Sequence, residues 1–75
     1  MINLKITKGS VFYDSYEIED TGDHDEMARV AIKEMFLADP ECGVGTYTVI
    51  FSNDGELIDE CRVVVSIDVY VEAVR

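Results

Sequence analysis

Residues 23–40 read DHDEMARVAIKEMFLADP, and this segment carries both ends of a helix and the face it buries. Asp23 is a good N-cap, and Glu26, three residues on, completes a capping box in its aspartate form. Behind the cap, Met27, Ala28, Ala31, Ile32, Met35, Phe36 and Ala38 recur at helical spacing and form one broad apolar stripe. Asp39-Pro40 ends the helix, because a residue before proline avoids the helical region. Val30 and Leu37 fall outside the stripe, near Arg29 and Lys33, as an apolar pair that a homodimer or another partner could cover.

On either side of this helix the period changes to two. Upstream, Ile2, Leu4 and Ile6 alternate with Asn3, Lys5 and Thr7, the mark of a half-buried strand. Gly9-Ser10 turns the chain, and Val11 to Ile18 reads as a second strand. Its alternation places Phe12, Tyr16 and Ile18 on one face, with Val11, Tyr13, Ser15 and Glu17 on the other. Downstream, Gly43 and Gly45 flank a loop, Thr46 to Ser52 alternates again, and Asn53-Asp54-Gly55 is a strong hairpin turn. The last segment puts Leu57, Cys61, Val63, Val65, Ile67, Val69, Val71 and Ala73 on odd positions, with Asp59 the one exception. So long a strand is expected to bend or bulge near Asp59.

The order strand–strand–helix–strand–strand predicts a single α+β domain over residues 1–75. It is an antiparallel sheet of about four strands (ββαββ order) with one helix packed on its apolar face. The uncovered face should present Tyr13, Glu17, Thr46, Thr48, Arg62, Asp68, Tyr70 and Glu72.

Charge is the strongest global signal. Sixteen Asp and Glu face six Lys and Arg, for a net charge of −10. Such a balance opposes direct binding to nucleic acid or to an anionic membrane, and it favours a basic partner or plain solubility. No run approaches the roughly 20 apolar residues of a membrane span, and the N-terminus lacks a signal-peptide pattern, so a cytoplasmic protein is expected. Cys42 and Cys61 form no C-x-x-C pair and are expected to be two small buried hydrophobes.

The acids are unevenly placed. Between Asp14 and Glu26 lie seven carboxylates and no Lys or Arg. Asp23, Asp25 and Glu26 serve the helix cap and its dipole, which leaves Asp14, Glu17, Glu19 and Asp20 without a structural role. A second group, Asp54, Glu56, Asp59 and Glu60, surrounds the hairpin turn. Two such groups on one small body could imitate the phosphates of a nucleic acid and occupy a Lys/Arg-lined channel. In the alternative, Tyr13 and Tyr70 mark an open sheet face through which a structural or regulatory module pairs, with acidity serving solubility.

Chemistry of other kinds finds no support in the residues. Asp20-Thr21-Gly22-Asp23-His24-Asp25 does not have the spacing of a calcium loop, and no metal or cofactor is called for. His24, the single histidine, reads as an exposed residue beside a cap, with no nucleophile assigned to it. Cys42 follows Glu41, whose charge would raise a thiol pKa, the wrong direction for a nucleophile. The chain is therefore read as a non-enzyme.

In length, in the acidic run Asp14–Glu26, in the Asp54–Glu60 group and in its strand–helix–strand plan, the chain resembles the small acidic inhibitors carried by phages and mobile elements, the anti-CRISPR and anti-restriction proteins. The resemblance implies a stoichiometric inhibitor that blocks a basic nucleic-acid-binding site on a host defence nuclease complex. It would act in the host cell cytoplasm if phage-encoded. No residue role is carried over by a shared motif.

Overall fold

The computed structural model describes residues 1–66 in full and the backbone of residues 71–74. Strands β1 (Ile2–Lys8) and β2 (Val11–Ile18) precede helix α1 (His24–Ala38), and a 3-10 turn over Pro40–Cys42 leads to β3 (Gly45–Asn53), β4 (Glu56–Val65) and β5 (Val71–Val74). The sheet is antiparallel between all neighbours and has five strands, in the order β2-β1-β3-β4-β5. The N-terminal strand is thus internal. β1 lies between β2 and β3, and α1 carries the chain past it from one to the other.

The turns form as their residues dictate. Asp54 and Gly55 both have positive φ, 51° and 83°, the twist a two-residue hairpin needs, and the flanking Asn53 and Glu56 are paired. The helix begins as its cap predicts. Asp23 Oδ1 accepts from the Glu26 amide at 3.2 Å, and Asp25 and Glu26 fill the first turn, where negative charge meets the positive end of the dipole. Asp23→Ala is expected to cost about 1 kcal/mol in urea unfolding. A loss under roughly a quarter of that would mean the cap contributes nothing of its own.

One apolar cluster organises the domain. Met27, Ala28, Ala31 and Ile32 of α1 share it with Ile2, Leu4 and Ile6 of β1, Tyr47, Val49 and Phe51 of β3, and Cys61, Val63 and Val65 of β4. Both cysteines are buried free thiols, as expected. Tyr47 is fully buried, and its hydroxyl donates towards the carbonyls of Cys42 and Gly43, each at 2.7 Å, tying the 3-10 turn to the sheet. Burial, with Tyr13 and Cys42 adding smaller effects, pushes the Tyr47 hydroxyl up to about 12. Tyr47→Phe should cost about 1–3 kcal/mol, because the buried Cys42 carbonyl loses the donor it shares with Gly43. Equal stability of this variant and wild type in urea would show that water replaces the hydroxyl at no cost.

Three sequence expectations need correction. The final strand is two strands: Val65 pairs with Val71, so the chain reverses between them and the sheet gains a fifth member. Alternation alone cannot reveal this, because period two runs on through a hairpin of matching parity. Second, β2 is bulged opposite Ile6/Thr7, where Ile6 pairs with Asp14 and Thr7 with Phe12. The extra residue, Tyr13, turns to the core and sets its ring edge-on to Tyr47 at 5.4 Å, while Phe12 is 57% exposed. Tyr13 is therefore not on the uncovered face. Third, Leu57 is not on the buried face, and the cause is the bulge near Asp59, which is present as expected, since Phe51 pairs with Asp59 but Ser52 with Leu57. It shifts parity, so Leu57 is 65% exposed although its odd number suggested burial.

Candidate interaction site at the acidic end of the sheet

The register places both acidic groups at one end of the sheet. Ile2 pairs with Ile18, Asn3 with Ser52, and Asn53 with Glu56. The start of β1, the end of β2 and the β3–β4 turn therefore lie together. Glu17 and the loop residues Glu19 and Asp20 are at this end, as are Asp54, Glu56 and Asp59, while Glu60 pairs with Ile50 midway along β4. Asp14 is further along β2, on the helix side. Its carboxylate accepts from the Ser15 amide at 2.8 Å, and it borders a shallow depression with Tyr16, Ala31, Glu34, Met35 and Ala38. Burial first, then the charges of Glu34 and Asp14, raises the Tyr16 hydroxyl. Tyr70 lies outside the described residues, as do Asp68 and the side chain of Glu72.

His24 joins the two groups. Its Nδ1 is 2.8 Å from Asp59 Oδ2 on β4, and its Nε2 is 3.0 Å from Asp20 Oδ1 in the β2–α1 loop. The ring stacks on Phe51 of β3, with centroids 4.7 Å apart and planes 19° from parallel. Its side chain is only 14% exposed, so the expectation of an exposed histidine beside a cap is overturned. The hydrogen bond to Asp59 is the main cause raising its pKa, partly opposed by desolvation and reinforced by Asp20. Asp20 also accepts from the Gly22 amide at 2.9 Å, and that bond is the main cause holding its carboxyl below the ordinary range.

This arrangement explains why Asp59 interrupts the apolar odd series of the last segment. It pairs with Phe51 in the row that faces α1, and its partner there is the first residue of the helix. The signal was in the sequence: one acid in an apolar register and one histidine among acids. Only the pairing of β4 beside β3, with α1 against them, brings the two together.

Glu17, Glu19, Asp54, Glu56 and Glu60 are exposed and make no ion pair with a Lys or Arg among the described residues. Arg29 is engaged with Glu26 at 2.9 Å. Lys8 sits towards the other end of the sheet, its Nζ donating to the Val44 carbonyl at 2.7 Å and lying 5.3 Å from the Tyr47 ring centre. Gly45 leaves room for it, because a Cβ there would fall 2.8 Å from Lys8 Cε. Beside the unpaired acids, Leu57 and Ile58 are 65% and 43% exposed, an apolar pair that alternation did not reveal.

The uncovered face consists of cross-strand rows: Leu57, Ser52, Asn3 and Glu17, then Glu60, Ile50, Lys5 and Ser15, then Arg62, Thr48, Thr7 and Phe12. On α1, Val30 and Leu37 are 39% and 83% exposed, as their place outside the stripe predicts. Cys42 has a raised pKa, from burial first and from Asp39 next, rather than from Glu41. No group of three or more His, Cys, Asp or Glu able to hold a metal is found among the described residues. Nor is any described helix long and apolar enough to cross a membrane.

Comparison with known proteins finds no matching family model, no matching curated protein and no matching solved structure.

Proposed function

We propose that the chain is a binding protein whose acidic end docks on a basic surface of a nucleic-acid-handling complex and keeps nucleic acid out. In its fuller form the target is a host defence nuclease, blocked in the manner of anti-CRISPR and anti-restriction inhibitors, within the cytoplasm. The observation that carries the reading is the convergence of two acidic groups, distant in sequence, at one end of the sheet, where the exposed carboxylates Glu17, Glu19, Asp54 and Glu56 lack a basic partner among the described residues, as does Glu60 further along β4. Leu57 and Ile58 beside them supply apolar area of the kind that anchors a protein interface inside a polar rim. Unneutralised charge of one sign speeds encounter with an oppositely charged surface and makes the complex salt-sensitive. Asp20 and Asp59 contribute by holding this end together through His24, and Glu17, Glu19, Asp54, Glu56 and Glu60 by meeting the partner.

The test is capture from nuclease-treated lysate of the source organism or its host, followed by elution with a nucleic acid that the captured protein binds. Elution by that polymer supports a shared site. A partner held equally well in its presence would remove the nucleic-acid-site reading.

A second reading rests on the uncovered face, where Phe12 and Val64 are exposed. There the chain would be a structural or regulatory module that pairs through the sheet, or through Val30 and Leu37, and salt would matter little. Tyr13 no longer belongs to this reading, since its ring packs on Tyr47.

A further inference from the structure

His24 binds a carboxylate with each ring nitrogen, and the two carboxylates belong to different parts of the fold. Asp59 is on β4 and Asp20 is in the loop between β2 and α1. An imidazolium has two N–H donors and satisfies both, whereas a neutral imidazole has one donor and one lone pair. A neutral ring would therefore turn a lone pair towards one carboxylate, and the clasp cannot hold both partners. Asp59 makes the shorter contact and is the less exposed of the two, while Asp20 keeps an alternative partner in the Gly22 amide.

We propose that His24 is a proton-operated clasp: as imidazolium it closes the Asp20 loop onto the Asp59 strand, and on losing a proton it releases the loop.

The surroundings favour the charged form. Phe51 forms one wall of the site from β3, Asp59 faces the ring from β4, and Asp20 faces it from the loop. On its own element, Asp23 caps the helix, and Asp25 and Glu26 occupy the first turn; Asp25 lies 3.5 Å from Cys61 Sγ on β4, and Glu26 is paired with Arg29. The charge of the Met1 amino group also acts on Asp20. The direction of the pH effect follows. Because the folded-state pKa of His24 is raised, the clasp's contribution is complete below the ordinary histidine value of about 6.5 and is lost as pH rises through the raised value. Because the pKa of Asp20 is lowered, its side of the clasp is lost only as pH falls through that lowered value. The clasp is closed between these limits. Closing it places one positive charge between the two acidic groups, and opening it removes that charge from beside the already exposed Asp20, so the acidic end becomes looser and more negative together.

The decisive experiment is an NMR titration of the wild-type imidazole, whose Cε1–Hε1 signal is unambiguous because the chain has one histidine. The expected midpoint is above about 6.5. Thermal unfolding should fall by roughly 5 °C more than in His24→Gln as pH rises through that midpoint. Asp59→Asn should lower the midpoint in a chain that keeps its histidine, which maintains the test if His24→Gln folds poorly. A wild-type midpoint at or below about 6.5, or identical pH–stability curves for wild type and His24→Gln, would overturn the clasp.

Discussion

Phe51→Ala is expected to remove about 3–5 kcal/mol, a large share of the stability of so small a domain. The cost of removing a buried phenylalanine combines lost transfer energy and the cavity left behind. A domain of this length has only about 4–11 kcal/mol to lose. Phe51 is fully buried in β3, pairs with Leu4 on β1 and Asp59 on β4, and carries the His24 ring on its face. Its loss therefore weakens the core and the support of the clasp at once. Leu57→Ala is the matched control, because Leu57 is on the same sheet but 65% exposed, and it should change stability by less than about 0.5 kcal/mol. Urea unfolding followed by circular dichroism separates the two. Equal costs at Phe51 and Leu57 would contradict the assignment of the core.

Charge reversal should do the opposite, sparing the fold and removing the binding. Glu17, Glu19, Glu56 and Glu60 are exposed, and none is part of the His24 clasp or the helix cap. Each change to lysine adds two units of charge, so the fourfold variant moves from the native −10 to −2. Relief of self-repulsion should keep it at least as stable as wild type. Its affinity for a basic partner should fall on the order of 100-fold or more, with most of the salt dependence gone. Asp20 and Asp59 are left unchanged because reversing them would open the clasp and confuse a loss of structure with a loss of contact. A folded variant with undiminished affinity would contradict the acidic-end reading and leave Val30 and Leu37 on α1 as the contact to test.

The sequence and the fold agree wherever local chemistry decides. Asp23, the apolar stripe, Asp39-Pro40 and Asn53-Asp54-Gly55 each specify their structure within a few residues, and each is found where it was expected, except that Ala38 at the end of the stripe is exposed. Disagreement begins where pairing decides. Nothing around Tyr13 announces a bulge, since no glycine marks it, yet one extra residue exchanges the faces of Phe12 and Tyr13. The apolar odd positions after Cys61 fit one long strand or two antiparallel ones equally well, and only the Val65–Val71 pairing separates them. The candidate site is a matter of the same kind. Its members could be read from their charge, but their meeting depends on β1 being internal and on β4 lying beside β3.

The converged acidic end is the surface proposed to meet a partner. It is tested most directly by capture from nuclease-treated lysate with wild type and the Glu17, Glu19, Glu56, Glu60 fourfold lysine variant in parallel, washed at low and then high salt. The expected result is a nucleic-acid-handling protein held by wild type at low salt, shed at high salt, and absent from the variant. The same partner retained by both chains, and retained through the high-salt wash, would contradict it.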